Sequence, residues 1–227
     1  MTTRALILSC FVITGFAAAQ RATPQPTTAN AVRVARQVQA FYDQTDSLQA
    51  RFTQTYYHRL YRRYQRSTGR LLFDKPGRMR FDYDRPNGKV VVSDGSHLTA
   101  YEPGDHGEPG QYVKTTIGNN ALPAAFGFLT GQARILDDYR VRLLDARSYR
   151  WSGHILELRP RRPNPRIRRI LLYVDGDPAR AGVVHRLRVD DHEGNRNKFE
   201  LRRMRFNRDL PERAFRYAPP RGSRRIR

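Results

Sequence analysis

The sequence predicts a mainly β fold of the α+β class, in which an antiparallel sheet carries a few helices on one face. Many successive segments alternate apolar and polar residues, which is the two-residue period of a strand with one dry face. Turn residues separate these segments without a regular β-α-β alternation, and this favours antiparallel pairing. Only two segments have the features of helices. Because several strands are amphipathic, we expect one face of the sheet to meet water.

The N-terminal residues 1–19 are organised as a secretory signal peptide. Arg4 precedes an apolar run from Ala5 to Phe16, which is followed by the three alanines Ala17–Ala19. We predict cleavage near the last of these alanines, and therefore export. Cys10 is the only cysteine and lies inside the apolar run. The mature protein is therefore expected to have neither a disulfide nor thiol chemistry.

A flexible leader, residues 20–30, is predicted from its Pro and Thr content. From Asn30 the pattern becomes helical, with Asn30 as the N-cap of an amphipathic helix over about 31–43. The apolar positions at helical spacing are Val34, Val38, Phe41 and Tyr42. This helix opens a single domain that we expect to extend over residues 31–222.

Residues 69–83, GRLLFDKPGRMRFDY, alternate on both sides of a Pro-Gly break. They predict two strands whose dry face carries Leu71, Phe73, Met79, Phe81 and Tyr83. Asp94-Gly95 then predicts a tight hairpin between the next two strands. The question is whether the dry face contacts the protein's own core or an apolar ligand.

Residues 121–131, ALPAAFGFLTG, are apolar on all sides and are bounded by Pro123 and Gly131. A short helix without a polar face must bury all its sides. Further strands are predicted over about 139–145, 150–159, 166–174, 183–190 and 197–206. The basic tail, residues 223–227, is expected to fray.

The formal net charge is +21, and nearly all of the positive charge is arginine. Such a charge suits nucleic acid or an anionic membrane surface. It also fits a base-composition bias that places arginines on solvated strand faces, and their even spread favours this interpretation. Residues 55–66, TYYHRLYRRYQR, interleave tyrosine and arginine as in a stacking platform for nucleic acid. The alternative is an exposed strand pair with aromatic cross-strand contacts, which the export signal favours, so no nucleic acid is expected.

No catalytic motif was found in the sequence, which lacks HExxH, CxxC, G-x-S-x-G and a Walker loop. The turns at 104–108 and 190–194 contain His with Asp and Glu, as a metal site does, but also look like ordinary polar turns. We therefore expect a binding protein that is not an enzyme and needs no cofactor or metal.

Five segments occur in the order found in the periplasmic outer-membrane lipoprotein carrier (LolA) family, which the chain resembles over about residues 31–222. They are SLQARFTQ, GRLLFDKPGRMRFDY, VVVSDGSHLTAYEP, ALPAAFGFLTG and FRYAPPRG. The resemblance implies a curved antiparallel sheet that forms an incomplete β-barrel, with a helical lid over an apolar cavity. It also implies a periplasmic monomer that carries the acyl chains of lipoproteins. The implied partners are these acylated lipoproteins, an ABC-type releasing complex in the inner membrane and an acceptor in the outer membrane.

The resemblance assigns roles to particular residues. The cavity wall would contain Leu71, Phe73, Met79, Phe81, Tyr83, Val90, Val92 and Leu98, and the lid would contain Leu122, Phe126, Phe128 and Leu129. For each of them an ordinary core position is the alternative. Lys75 stands where well-known members carry an arginine that holds the lid closed through hydrogen bonds. Lysine keeps the charge of that latch but lacks the planar five-donor fork.

Two other functions remain open at this level. A protein with the same barrel could sense or bind lipids or lipoproteins as a regulator, without carrying them. The arginine-rich faces could instead bind a polyanion. Salt distinguishes the last case, because polyanion binding falls steeply with ionic strength while apolar binding does not.

Overall fold

A computed structural model describes residues 28–105, 107–116, 126–127 and 134–226. The predicted signal peptide lies outside these residues. A first helix, α1, covers Thr28–Asp43 and buries Ala31, Val34, Ala35, Val38 and Tyr42. The predicted helix is confirmed, but it starts three residues before the predicted start at 31. Residues 28–30 are therefore helical and not part of a leader, and Asn30 lies within the first turn and not at the N-cap.

Twelve strands among the described residues form a single open, curved sheet, which confirms the predicted fold class. The first six are β1 (Ser47–His58), β2 (Arg63–Asp74), β3 (Arg78–Tyr83), β4 (Val90–Asp94), β5 (His97–Glu102) and β6 (Gln111–Thr116). The others are β7 (Tyr139–Leu144), β8 (His154–Pro160), β9 (Arg169–Val174), β10 (Val184–Asp190), β11 (Arg196–Phe206) and β12 (Arg224–Arg225). A four-residue helix, α2, covers Ile135–Asp138 and directly precedes β7.

The strand order is β12-β6-β5-β4-β3-β2-β1-β11-β10-β9-β8-β7, so two antiparallel meanders meet where β1 pairs with β11. The chain between β6 and β7 must connect opposite ends of the sheet, because only β12 lies beyond β6 and β7 is the other edge. The basic tail does not fray as predicted. Arg224 and Arg225 pair in parallel with Gln111 and Tyr112 of β6.

The main core lies on one face of the sheet, called the concave face below. Period-two alternation directs one set of side chains from β1, β2, β3, β8, β9, β10 and β11 towards this face. The buried face of α1, Ile135 of α2 and Phe126 pack against the same surface. The predicted dry face of residues 69–83 is therefore buried against the protein's own side chains. Leu71, Phe73, Met79 and Phe81 are each less than 5% exposed.

The opposite, convex face carries two smaller apolar clusters. The first, called the outer cluster, contains Leu72, Val92 and Phe215, with Val90, Leu210, Ala214 and Tyr217 around it. Phe215 comes from the C-terminal segment, which Arg80 anchors by donating from Nη1 to the carbonyl oxygen of Ala214 at 2.9 Å. The second contains Ile155, Leu171 and Tyr173 and is covered by the chain around Trp151. The sheet is thus covered on both faces.

Val90 and Val92 were predicted for the cavity wall but lie on the convex face, so this prediction is wrong. β3 pairs with β4 such that Phe81 lies opposite Val91. Directly opposed residues share a face of a sheet, so Val91, and not its two neighbours, lies on the concave side. Val91 accordingly packs against the main core. A displacement of one residue reverses every side chain of a strand.

Buried carboxylates on the convex face account for several of the arginines. Glu157 is 1% exposed. Its carboxylate lies within 3.0 Å of both Arg142 and Arg169 and 3.2 Å from Arg159. Burial acts to raise the pKa of Glu157, but the arginine hydrogen bonds and charges outweigh it and lower the pKa below its ordinary value of 4.5. Glu157 therefore remains charged in the folded protein.

Removing the side chain of Phe215 is expected to destabilise the fold by about 3 kcal/mol, because it empties the centre of the outer cluster. Urea unfolding of Phe215→Ala measures this loss. Leu60→Ala is the control, since Leu60 is 77% exposed and should change stability by less than about 0.5 kcal/mol. Equal stability of Phe215→Ala and the parent would show that the C-terminal segment does not stabilise the sheet.

Glu157→Gln should lower stability at pH 7 by about 2 kcal/mol, because charge-assisted hydrogen bonds to arginine are lost. In the parent, the lowered pKa of Glu157 means that its charged form stabilises the folded state above about pH 4.5. This stabilisation is lost as the pH falls through the folded-state pKa. The difference in the free energy of unfolding between the parent and the variant should therefore become smaller below pH 4.5. Urea unfolding at pH 7 and pH 3 measures this difference. Glu108→Gln, an exposed position, is the control. A gap of unchanged size at pH 3 would contradict this role of Glu157.

Candidate functional site

Part of the concave face is filled by aromatic rings. Phe126 is 1% exposed and lies 5.2 Å from Phe199, 5.5 Å from Phe81 and 5.8 Å from Phe73 between ring centroids. The other three residues belong to the sheet, whereas Phe126 belongs to the connection between β6 and β7. One ring of a non-sheet segment thus fills the centre of the sheet's apolar surface.

Of the four predicted lid residues, the structure describes only Phe126. Leu122, Phe128 and Leu129 lie outside the described residues, as does most of the predicted helix over 121–131. The remaining predicted wall residues lie on the concave side. Tyr83 and Leu98 are partly buried against the main core, and burial raises the pKa of Tyr83 to about 12.

Helix α1 covers the part of the concave face formed by β7 and β8, which it contacts directly. The hydroxyl of Tyr42, fully buried at the end of α1, accepts a hydrogen bond from the backbone N–H of Val184 at 3.2 Å. Burial raises the pKa of Tyr42 far above its ordinary value, so the hydroxyl stays neutral. Gly182 lets its loop approach α1, since a Cβ there would meet the carbonyl oxygen of Gln37 at 2.3 Å.

Lys75 contacts the C-terminal end of α1. Its Nζ donates to the carbonyl oxygens of Tyr42 at 2.6 Å and Asp43 at 3.1 Å. Both carbonyls lie in the last turn of the helix, where the Tyr42 carbonyl also accepts from the backbone N–H of Thr45 at 3.2 Å, and a cation at this end is favoured by the helix dipole. The family resemblance suggested Lys75 as a latch of the lid, and the structure places its ammonium on the last turn of α1.

Helix α1 is also tied to α2 by polar contacts. The side-chain oxygen of Gln39 accepts from the backbone N–H of Ile135 at 2.9 Å. Arg134 lies 3.5 Å from the carboxylate of Asp43. Both contacts come from the C-terminal half of α1, whose last turn binds Lys75. The two helices are therefore held together close to the Lys75 contact.

An open cleft of about 530 Å³ lies beside α1, between β11 and the loop before β10. Its apolar lining is formed by Phe41, Val183, Leu201, Met204 and Phe206, and its basic lining by Arg180, His185, Arg202 and Arg203. The rings of Phe41 and Phe206 meet edge to face at 5.0 Å. Here the apolar concave surface reaches solvent next to the cover formed by α1.

Sequence reasoning missed this cleft because a β-bulge hides its residues. The pairing of β1 with β11 shifts between Gln49 and Arg51, and Arg203 has a positive φ of 53°. A bulge changes which face the following residues occupy. Met204 and Phe206 therefore both reach the main core. The only signal in the sequence is the break of alternation in LRRMRF.

Two basic groups at the cleft are held by Asp175. Its carboxylate lies 2.7 Å from Nε2 of His185 and 3.1 Å from Nε of Arg180. Burial acts to raise the pKa of Asp175, but hydrogen bonds from Asp177 and His185 and the nearby charges lower it. Arg203, by contrast, forms no ion pair with any described residue. The rim of the cleft therefore retains a positive charge that no carboxylate in the described part of the chain neutralises.

No group of three or more His, Cys, Asp or Glu side chains in the described ranges is arranged to hold a metal ion. The carboxylates of the acidic turn at 191–195 bind a side chain of the same turn. Asn195 donates from Nδ2 to Asp191 at 2.8 Å and to Glu193 at 3.2 Å. Among the helices that the structure describes, none is long and apolar enough to cross a membrane.

An apolar concave face with a separate cover defines a sheet built to enclose apolar groups. Residues 43–218 match the family described as outer membrane lipoprotein carrier protein LolA, and the chain belongs to this family. It is 24% identical over 219 residues to the outer-membrane lipoprotein carrier protein of Methylococcus capsulatus, covering 96% of this chain and 95% of that protein. It is 26% identical over 197 residues to the protein of the same name from Chromobacterium violaceum, covering 87% of each.

Among solved structures, a LolA superfamily protein from Nitrosomonas europaea is similar with a TM-score of 0.43 and 12% identity. The likeness covers 82% of this chain and 97% of that one.

Lys75→Met should loosen the end of α1, because two carbonyls lose a charged donor. The expected loss of stability is about 1–2 kcal/mol, with faster hydrogen exchange at the amides of the last two turns of α1. Lys75→Arg is the matched control and should keep most of the protection. Unchanged exchange in the methionine variant would show that Lys75 does not hold the helix.

Proposed function

We propose that the chain is a periplasmic carrier of lipoproteins, which covers their acyl chains after release from the inner membrane and delivers them to the outer membrane. The observation that carries the proposal is that Phe126, a residue from outside the sheet, fills part of the apolar concave face, and that an open cleft with apolar and basic lining lies beside α1. Membership of the lipoprotein carrier family supports the same function.

The energetics of the exchange suit a carrier. An acyl chain exposed to water costs about 0.8 kcal/mol per CH₂ group, so on the order of ten groups cannot cross an aqueous space bare. Displacing Phe126 from its apolar site costs about 2 kcal/mol. The acyl chain then takes the place of the Phe126 ring on the apolar concave face. Net binding remains reversible because the ligand competes with the protein's own side chain.

Lys75 is the proposed latch of the covered state. Its two hydrogen bonds to Tyr42 and Asp43 hold the end of α1 against the sheet. These bonds have to weaken if α1 moves to admit a ligand beside Phe41. Without them, the empty covered state loses stability relative to the loaded state. Lys75→Leu is therefore expected to retain lipoprotein longer.

The releasing complex in the inner membrane and an acceptor in the outer membrane are the proposed partners. The basic lining of the cleft suits a ligand whose acyl chains are followed by polar or anionic groups. Arg202 and Arg203 stand at this rim beside the apolar lining. An acyl chain entering at Leu201 would thus leave its polar end near the arginines.

Native mass spectrometry of the chain from residue 20, purified from a bacterial periplasm without detergent, tests the function. We expect a bound acylated protein or peptide that persists in high salt and is displaced by an apolar fluorescent probe. Leu201→Glu with Met204→Glu should lower probe affinity at least about tenfold, since two charges enter the apolar cleft. Leu60→Glu, on an exposed hairpin, is the control.

Two results would overturn the proposal. One is a bare mass together with equal probe affinities of the parent and the cleft variant. The other is salt-sensitive binding to nucleic acid or anionic polysaccharide as the only activity, which would make the arginine-rich surface the functional site.

A further inference from the structure

The hairpin between β1 and β2 ends in a segment, residues 59–66, that is exposed at every position. Its sequence is RLYRRYQR. It carries Leu60 at 77%, Tyr61 at 65% and Tyr64 at 68% exposure, which are three of the four exposed large apolar residues in the described part of the chain. This segment is called the hairpin tip below. Exposed apolar residues that are gathered in one place are typical of interaction surfaces.

The hairpin tip projects beyond the neighbouring strands. β3 pairs with β2 only from Gly69 onwards, so the first six residues of β2, 63–68, have no β3 partner. On the other side, β11 reaches no further than Arg196, opposite Tyr57. The tip therefore stands at one end of the sheet, beside the turn at 191–195, from which Asn195 accepts a hydrogen bond from the backbone of Arg59 at 2.9 Å.

Ring contacts fix the base of the tip. Tyr57 and Tyr64 lie 4.7 Å apart between centroids, and His58 and Tyr61 lie 4.5 Å apart. The guanidinium of Arg196 lies 4.3 Å from the centroid of Tyr57. The tip is thus held in shape by its own aromatic residues, and little ordering is needed when it binds.

The arginines of the tip differ from those of the convex face in their pairing. Arg59, Arg62, Arg63 and Arg66 form no ion pair within the described ranges, and residues 59–66 contain no Asp or Glu. By contrast, Arg169 and its neighbours on the convex face are paired with Glu157 and Asp190. The tip therefore combines free cations with exposed apolar side chains.

We propose that the hairpin tip binds the surface of a bilayer that contains anionic phospholipid. The arginines suit the phosphates of the headgroups, Leu60 suits the boundary of the acyl region, and Tyr61 and Tyr64 suit the interface, where amphipathic rings are favoured. A tip of eight residues is smaller than the 20–30 residues per side of a stable protein interface, whereas a bilayer requires no complementary surface. Each arginine should contribute about fivefold to the affinity.

Membrane binding by the tip is separate from ligand binding by the concave face. The two surfaces share no residue, since the tip covers 59–66 and the cleft is lined by residues of α1, β10, β11 and the loop before β10. A protein that fails to bind acyl chains can therefore still bind vesicles, and the reverse also holds.

Co-sedimentation with vesicles tests the tip, using phosphatidylcholine alone or with 30% phosphatidylglycerol, in low and high salt. We expect binding to the anionic vesicles that weakens with salt. Arg62→Ser with Arg63→Ser should lower the affinity about 25-fold. Arg162→Ser with Arg221→Ser removes the same charge from other exposed positions and is the control. Equal losses in the two double variants, or no binding to anionic vesicles, would overturn the proposal.

Insertion is tested separately with an environment-sensitive fluorophore. The chain from residue 20 contains no cysteine, because the only one is Cys10, so Leu60→Cys gives a single labelling position at the tip. We expect a blue-shifted, brighter emission with anionic vesicles, and no change for a label at Arg162→Cys. The assignment to a bilayer would be overturned if the emission of the label at position 60 did not change when vesicles were added, or changed only with a protein partner.

Discussion

The concave face of an open sheet has to be kept from water, and most of this structure follows from that constraint. Strand alternation directs a continuous set of apolar side chains to one side of the sheet. Exposing a single buried leucine or phenylalanine costs about 1.5–3 kcal/mol, so a surface of this size cannot stay uncovered. Helix α1 covers one part of it and Phe126 fills another. The sheet supplies the surface, and segments outside the sheet supply its cover.

The way in which the cover is attached distinguishes it from an ordinary core. Several specific polar contacts of α1 lie towards its C-terminal end, where Lys75 binds the final carbonyls and Gln39 binds Ile135. The packing in between is apolar and non-directional. In the proposed carrier, an apolar ligand that replaced these contacts would leave no polar side chain of the packed surface unpaired, whereas the hydrogen bonds at the end would have to break. The cleft is lined by Phe41, which lies in the last turn of α1. The open cleft is therefore next to the hydrogen bonds that attach the end of α1.

The sequence predicted the sheet and the dry face of residues 69–83 because local alternation determines both. It failed where a turn or a bulge reset the alternation. Val90 and Val92 follow the turn after β3, and the register that places Val91 opposite Phe81 depends on pairing between strands. The bulge at Arg203 exchanges the faces of β11 in the same way. Lys75 was predicted beside a helix through a family resemblance, but its bonds to Tyr42 and Asp43 required the three-dimensional fold.

The distribution of arginines shows why net charge alone left two interpretations open. On the convex face, Arg169 bridges Glu157 and Asp190, two carboxylates that are each 1% exposed. Those arginines compensate buried charge and are part of the fold. Around Leu60, four arginines lie in eight residues without an acidic partner. This hairpin projects from the sheet, its arginines form no ion pair with the described residues, and Leu60, Tyr61 and Tyr64 remain mostly exposed. Pairing, and not the total of +21, therefore separates arginines that stabilise the sheet from those available to a partner.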